Sequence, residues 1–131
     1  MGILLDSDII IDFLNNQSLA ILFFKRSSKK ELFISVISWA EVEYGFRKLK
    51  SDKKVQKFHD LLDNFQVQLV DIDKRVAEQY LEIKIDLENH KTPLADFDLL
   101  IAATALSNSL TIATRNVKHF GRLKELNLAS I

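Results

Sequence analysis

Hydrophobic and polar positions along the chain predict short buried strands separated by helices. The apolar triplet Ile3–Leu5 is too short for a helix and ends abruptly at Asp6. Such a run is typical of a strand covered on both faces of a parallel sheet. Apolar runs at 32–36, 67–70 and 110–114 predict three more strands. The tail at 126–131 is a candidate for a fifth strand at one edge of the sheet.

The stretches between the strands carry apolar residues at helical spacing. They predict helices over 8–14, 19–24, 38–49, 55–65 and 73–90. A further helix, opened by Asp96-Phe97-Asp98, has almost no polar face over 99–106, so we expect it to be central and buried. Strands that alternate with helices favour an α/β fold of three layers, α/β/α, around a central parallel sheet of four to five strands.

Polar residues at the starts of these helices indicate how the helices are capped. Ser7 is the expected cap of the first helix, and Asp73 of the long helix that follows the third strand. Ser38 and Glu41 have the spacing of a capping box, which predicts a helix beginning at Ser38. The core face of that helix is expected to carry Trp39, Val42, Phe46 and Leu49, and the solvent face Glu43, Arg47 and Lys50.

Composition narrows the class of protein without naming a function. A chain of 131 residues with 47% hydrophobic content predicts a single domain spanning 1–131. There is no cysteine, which excludes disulfides, zinc–thiolate sites and a cysteine nucleophile. Charged residues interrupt the amino-terminal apolar stretch, and no apolar stretch is long enough to cross a bilayer. We therefore expect a soluble, cytoplasmic protein without a membrane partner.

Four polar residues fall where the predicted topology brings strand ends and helix starts to one edge of the sheet. Asp6 ends the first strand, Glu41 and Asp98 lie in expected first turns of helices, and Asn116 follows the fourth strand. Carboxylates gathered in one pocket repel each other unless a cation intervenes. Oxygen ligands without His or Cys suit Mg²⁺, with Mn²⁺ as a second possibility. This pattern predicts metal-dependent hydrolysis of a nucleic-acid backbone.

Each of these residues also has a purely structural interpretation. Glu41 completes the capping box, Asp96 is an expected helix cap, and Asp98 complements the helix dipole from the first turn. Asn116 suits a turn. Asp8 and Asp12 are expected to be solvated helix residues. The functional interpretation rests on the coincidence of the residues at one edge, and Asp6, directly after a buried strand, has the weakest structural explanation.

The chain resembles the PIN-domain family, and specifically its toxin ribonucleases of the VapC type. The most specific part is PLADFDLLIAATAL at 93–106, followed by LTIATRN at 110–116. LDSD at 5–8 and SWAEVEYG at 38–45 fit the first and second motifs of the family. The resemblance covers nearly the whole chain. It implies a PIN-like domain with Asp6, Glu41 and Asp98 as the acids of a metal site, and it places Asn116 at the fourth family position.

The resemblance also implies an activity, partners and roles for individual residues. It implies a magnesium-dependent endoribonuclease of a VapBC toxin–antitoxin system, a homodimer, an RNA substrate and inhibition by a small cognate antitoxin. Asp6 and Asp98 would coordinate the metal, Glu41 would hold or deprotonate the attacking water, and Asn116 would position a water molecule. Thr114 and Asp96 are accessory candidates. The candidates for RNA contacts are Arg115, Lys118, His119 and Arg122.

Two other interpretations remain open from the sequence. The opening stretch 3–8 also resembles haloacid-dehalogenase-type phosphatases, in which Asp6 would be a nucleophile. That interpretation leaves the apolar helix after Asp98 unexplained. Alternatively, the chain could be a non-catalytic PIN module that binds RNA or metal without cutting, an interpretation to which the neutral side chain of Asn116 gives some weight.

Overall fold

The strand at Ile3–Leu5 forms as predicted and lies inside a parallel sheet in the computed structural model, which describes residues 2–131. This strand, β1, pairs with β2 (Leu32–Ser35) on one side and with β4 (Thr111–Ala113) on the other. The strand β3 (Gln68–Val70) extends the sheet beyond β2, giving the order β3-β2-β1-β4 with every pairing parallel. The predicted α/β architecture is confirmed.

Seven helices connect and cover these strands in the described part of the chain. Their bounds are Ser7–Leu14 (α1), Ser18–Arg26 (α2), Val36–Lys48 (α3), Asp52–Asn64 (α4), Lys74–Asn89 (α5), Asp96–Ser107 (α6) and Val117–Phe120 (α7). As expected, α6 is central: its buried residues run almost continuously from Leu99 to Ala105. Asp73 caps α5 as predicted, because its Oδ1 accepts a hydrogen bond of 3.1 Å from the Val76 N–H.

The hydrophobic core is divided into two clusters, one on each face of the sheet. Leu4 belongs to a cluster with residues of α5, α6 and the carboxyl-terminal segment. Ile3 and Leu5 belong to the other, with residues of α1, α2, α3 and α4. Successive residues of a strand point to opposite faces, so the two clusters lie on opposite sides of β1. The helices therefore form the outer layers of an α/β/α arrangement.

The start of α3 differs from the prediction. The helix begins at Val36, because the Oγ of Ser35 accepts a hydrogen bond of 3.1 Å from the Ile37 N–H. Ser38 is consequently inside the helix, where its buried Oγ has no hydrogen-bond partner. Glu41 lies in the second turn and does not close a capping box. The predicted cap was wrong because a serine one residue before the helix competes successfully with one inside it.

The predicted faces of α3 are also partly wrong. Val42 and Phe46 are buried, but Leu49 ends the helix with 66% of its surface exposed. Glu43, expected in solvent, is buried and bonded to the Nε of Arg47 at 2.8 Å and to the Nε2 of His59. The spacing of apolar residues alone did not reveal that His59 of α4 packs against this face of α3.

Two smaller predictions also need correction. The segment 126–131 forms a single parallel bridge, from Leu128 to Ile112, and adds no fifth strand to the sheet. The cap of α1 is Asp6, whose Oδ1 accepts from the Ser7 N–H at 2.8 Å, and Ser7 is the first helical residue. Across residues 2–131 no helix has the length and apolar character needed to span a membrane.

Candidate active site

The first component of the site is Asp6, which leaves the sheet at the carboxyl end of β1. Leu5 pairs with Ala113 of β4, so the residues that follow, Asp6 and Thr114, emerge side by side. Both are buried, and the Thr114 hydroxyl donates to Asp6 Oδ2 at 2.8 Å. Thr114, an accessory candidate from the sequence, therefore bonds directly to a carboxylate of the site. With Ser7 N–H on its other oxygen, the Asp6 carboxylate is fixed from two sides.

Asp8 adds a carboxylate that the sequence interpretation treated as solvated. Its Oδ2 accepts from the Arg115 N–H at 3.0 Å and lies 3.3 Å from the Thr114 hydroxyl. Its Oδ1 is buried without a hydrogen-bond partner. Asp12, one turn further along α1, pairs with the Arg115 side chain at 2.6 Å. Asp8 and Asp12 therefore tie α1 to the loop after β4 from the same face of the helix.

Glu41 and Asp98 approach this edge from two helices that pack against each other, α3 and α6. Both side chains are half-buried, so they face a region that solvent and a ligand can reach. Asp98 lies in the first turn of α6 as predicted, because Ala95 is the residue before the helix. Asp96 is the first helical residue and makes no side-chain cap, so its predicted capping role is wrong.

Burial and neighbouring charges raise the pKa of Asp6 and of Glu41. Burial raises the pKa of Asp6 from 3.8 to about 6, with further contributions from the charges of Asp8 and Asp98, while the Thr114 hydrogen bond opposes the rise. Burial also raises the pKa of Glu41, and the charges of Asp6 and Asp98 raise it further. Asp6, Glu41 and Asp98 thus lie close enough for their charges to interact, which is the convergence that their sequence positions predicted.

Asn116 lies at the same edge, but its side chain contacts His119. Its backbone N–H donates to the Thr114 hydroxyl at 2.9 Å, and its amide nitrogen lies 2.8 Å from His119 Nδ1. The same imidazole nitrogen lies 3.5 Å from Asp98 Oδ2. His119, predicted as a contact to RNA, therefore also connects the fourth family position to the carboxylate on α6.

The remaining predicted residues have varied surroundings. Asp96 is exposed and bonded to Lys84 at 2.9 Å and to the Tyr80 hydroxyl at 2.9 Å, which holds its pKa below the ordinary value. Arg122 donates to the Pro93 carbonyl at 2.7 Å. Lys118 is exposed on α7. Of the four candidates for RNA contacts, Arg115, His119 and Arg122 have partners within the protein.

The chemistry of the donors fits a hard divalent cation. The side chains that gather here offer carboxylate, amide and hydroxyl oxygens, and Asp8 has a buried oxygen without a partner. Within residues 2–131, however, no three His, Asp or Glu side chains form a group that could by itself hold a metal ion. Mg²⁺ needs no such cage, because it commonly binds one or two carboxylates and completes its shell with water and phosphate oxygens. The residues therefore fit this ion.

Sequence reasoning missed Asp8, whose position could have suggested its role. In a helix that starts at the sheet edge, a carboxylate three residues after the strand end still lies beside the carboxyl end of the neighbouring strand. The interpretation of Asp8 as solvated considered α1 alone. The pairing of β1 with β4, which brings Thr114 and Arg115 to this helix, is a long-range feature of the fold.

Comparisons with known proteins show which proteins this chain is similar to in sequence and in fold. A family model described as PIN domain matches residues 3–126. Ribonuclease VapC1 of Methanocaldococcus jannaschii is 30% identical over 96% of this chain and 84% of its own length. Toxin FitB of Neisseria gonorrhoeae is 32% identical over 70% of this chain and 69% of its own. The structure of VapBC-1 from nontypeable Haemophilus influenzae aligns with a TM-score of 0.86 and 26% identity, covering 99% of this chain and 98% of that one.

Proposed function

The chain belongs to the PIN domain family, and from that premise we propose that it is a magnesium-dependent endoribonuclease, the toxin of a type II toxin–antitoxin pair. Relatives at about a third identity are named ribonuclease VapC1 and toxin FitB. The observation that carries the proposal is the approach of three carboxylates at a single edge of the sheet, where the charge of Asp98 acts on Asp6 and the charges of Asp6 and Asp98 act on Glu41. The match of the PIN domain family model argues against the haloacid-dehalogenase interpretation.

In the proposed site Asp6 and Asp98 hold Mg²⁺, with Mn²⁺ able to replace it. The chemistry that this ion supplies when bound is activation of water and neutralisation of charge on the phosphate oxygens. Thr114 and the Ser7 N–H fix both oxygens of Asp6, so that carboxylate is oriented before any ligand arrives. Asp96, tied to Lys84 and Tyr80, steadies the start of α6 from outside the site.

Glu41 is proposed as the residue that holds or deprotonates the attacking water. Its half-buried position leaves it accessible to solvent, and its raised pKa makes it a better proton acceptor than an ordinary surface carboxylate. Asn116 would position a water molecule or a phosphate oxygen through its amide group. As a neutral side chain, it contributes no further repulsion to a site that already holds three acids near one another.

The proposal extends to partners and surroundings. RNA would approach over Lys118 and His119, which lie on α7 immediately after Asn116, with Arg115 and Arg122 supporting the same loop. A small cognate antitoxin would inhibit the enzyme, and two copies of the chain would form a homodimer. The support for a protein partner is the likeness of the fold to the toxin in the VapBC-1 structure. The proposed site of action is the cytoplasm.

The test is cleavage of RNA by the purified chain with MgCl₂ and with EDTA. We expect cleavage in MgCl₂ alone, and its loss in Asp6→Ala and Asp98→Asn, with circular dichroism showing intact folds. Asp60→Asn is the matched control, because it removes an exposed acid of α4 outside the site. Retained activity in both site variants would refute the assignment, and tight RNA binding without cleavage would favour the non-catalytic module. Trapping of a phosphoenzyme would favour the phosphatase.

A second experiment can identify the RNA that is cleaved. Inducing the chain in cells and sequencing the newly formed RNA ends would identify the cleaved molecules, with the Asp6→Ala variant as the background. Ends that appear equally with this variant are not products of the proposed site.

A further inference from the structure

His119 contacts two residues of the candidate active site through one ring nitrogen. Its Nδ1 lies 2.8 Å from the amide nitrogen of Asn116 and 3.5 Å from Asp98 Oδ2. The other two histidines of the chain, His59 and His90, contact residues of α3 and α5 instead. Within residues 2–131, His119 is therefore the histidine that joins two members of the site.

The chemistry of the Asn116 amide fixes the proton of the imidazole. Each ring nitrogen of a neutral imidazole carries either a proton or a lone pair. The amide nitrogen of Asn116 has only hydrogens to offer, so the contact of 2.8 Å requires a lone pair on His119 Nδ1. The proton of the neutral ring is then on Nε2, where it is left for solvent or RNA. Nδ1 consequently accepts from Asn116 and does not donate to Asp98 Oδ2.

The hydrogen bond to His119 decides which end of the Asn116 side chain is left for a ligand. A side-chain amide has an NH₂ end that donates and an oxygen end that accepts, and only the oxygen can bind a cation such as Mg²⁺. Because His119 holds the NH₂ end, the oxygen end remains. A half-turn of the amide would exchange the two ends, and it would break this hydrogen bond.

The backbone of Asn116 is fixed to the site independently of its side chain. Its N–H donates to the Thr114 hydroxyl at 2.9 Å, and that hydroxyl donates to Asp6 Oδ2 at 2.8 Å. With the backbone held in this way, the main freedom left to the side chain is rotation of the amide. His119 therefore restricts the motion that would replace an oxygen by an NH₂ group.

We propose that His119 is a positioning residue that holds the NH₂ group of Asn116 and thereby presents the amide oxygen to the metal ion and its water shell. The inference rests on the magnesium-dependent function proposed above. A carboxylate has two equivalent oxygens and needs no such partner, whereas an amide has one oxygen that must be turned the right way. His119 acts through Asn116 and does not itself need to contact the cation.

The experiment compares substitutions that keep or remove an acceptor at the place of Nδ1. His119→Asn keeps one, because its side-chain oxygen is as many bonds from Cα as Nδ1 is, whereas His119→Leu has a methyl group there. His119→Leu is also made together with Asn116→Asp. His90→Leu is the matched control, because it removes an exposed imidazole at the end of α5, outside the site. Circular dichroism checks that each variant is folded.

Two measurements are made without RNA. The affinity for Mn²⁺ is obtained from the electron paramagnetic resonance signal of the unbound ion. The position of the ring proton of His119 is obtained from nitrogen NMR of metal-free, histidine-labelled protein at pH 8.5, in which a protonated and an unprotonated ring nitrogen resonate far apart. Cleavage of RNA in MgCl₂ is measured separately.

We expect His119→Leu to weaken Mn²⁺ binding about 2-fold to about 10-fold, the range for loss of one neutral hydrogen bond. His119→Asn and His90→Leu should remain close to wild type. In the Asn116→Asp background His119→Leu should not weaken Mn²⁺ binding, because a carboxylate presents an oxygen in either orientation. The unprotonated nitrogen of His119 should be Nδ1 in the wild type, and Asn116→Asp should move the proton to Nδ1, since a carboxylate only accepts.

Several results would overturn the proposal. Unchanged Mn²⁺ affinity in His119→Leu would refute it, as would an equal loss in the presence and absence of Asn116→Asp, which would mean that the imidazole acts independently of the amide. A proton on Nδ1 in the wild type would refute it too. If the wild type binds Mn²⁺ but cuts no RNA, the ribonuclease function fails and the affinities still decide the role of His119. If it binds no Mn²⁺, the metal site and this inference fail together.

Discussion

Replacing Asp6 by Asn should make the metal-free protein more stable at neutral pH. Asp6 is 6% exposed, and its pKa is raised from 3.8 to about 6, so the folded state disfavours its ionised form. The amide removes that charge and preserves the contacts. Its oxygen can accept from the Ser7 N–H, and its NH₂ group can donate to the Thr114 hydroxyl, whose proton then turns to Asp8 Oδ2, 3.3 Å away.

The magnitude follows from the two pKa values of Asp6. The difference between 3.8 and about 6 corresponds to about 3 kcal/mol in the free energy of unfolding. Because the folded state binds this proton more tightly than the unfolded state, the cost is absent below the unfolded pKa. It grows as pH rises between about 4 and about 6, and it is fully present above about 6. We expect Asp6→Asn to gain about 1–3 kcal/mol at pH 7.5, since imperfect amide hydrogen bonds offset part of the relief.

Urea unfolding followed by the fluorescence of Trp39, the single tryptophan, measures the effect. Curves for both proteins at pH 7.5, 6.5, 5.5 and 4.5 in EDTA give the difference in unfolding free energy at each pH. The stabilisation by Asp6→Asn should shrink steadily toward pH 4.5. In MgCl₂ the order should reverse or narrow, because the cation stabilises the wild type by about 2.7 kcal/mol at a hundred times its dissociation constant.

Two results would refute this reasoning. If Asp6→Asn destabilises the protein equally at every pH, the contribution of Asp6 as the cap of α1 outweighs its charge, and its carboxylate is not under electrostatic strain. If MgCl₂ stabilises both proteins equally, the cation that binds does not interact with Asp6. Either result can be separated from a general loss of structure by the urea dependence of the transition, which should match in the two proteins.

Four further substitutions test the stability of the fold. Gly45→Ala should raise the free energy of unfolding by about 0.5–1 kcal/mol, because a Cβ there meets nothing within 4 Å in the middle of α3. Gly121→Ala should instead lower it by about 1–3 kcal/mol, since its Cβ would lie 2.7 Å from the Val117 carbonyl oxygen; equal effects of the two substitutions in urea would contradict this. Phe24→Ala should cost about 3–5 kcal/mol, as a fully buried ring packed among other rings is lost, and a smaller loss would mean that the site collapses around the cavity. Asp73→Asn should lower the free energy of unfolding at pH 7, and this loss should shrink as pH falls through the lowered pKa of Asp73. A loss that does not change with pH would mean that the charge of Asp73 does not contribute to capping α5.

Much of the fold could be predicted because its signals are local. A short apolar run that ends at an acid identified β1, and an apolar stretch without a polar face identified α6 as central. Asp6 and Asp98 could be assigned to one edge because a parallel α/β sheet returns strand ends and helix starts to the same side. These inferences need only the spacing of apolar residues and the order of strands and helices along the chain, and both can be read from the sequence.

The details that failed depend on which elements are neighbours in space. Glu43 is buried because His59 and Arg47 complete its hydrogen bonds, and no local pattern places His59 beside it. Ser35 rather than Ser38 caps α3, because β2 ends at Ser35, where its pairing with β3 ends, and the helix begins at Val36. Both errors came from judging α3 without its partners.

The sequence by itself determined the order of strands and helices, the buried α6, and the acids Asp6, Glu41 and Asp98 as candidates for one site. Only the tertiary structure decided that Thr114 and Asp8 join Asp6. The physical reason is that these interactions differ in the sequence separation of the residues that they join. Apolar spacing and backbone capping act over a few residues, whereas burial, charge interaction and hydrogen bonding between β1 and β4 join residues more than a hundred positions apart.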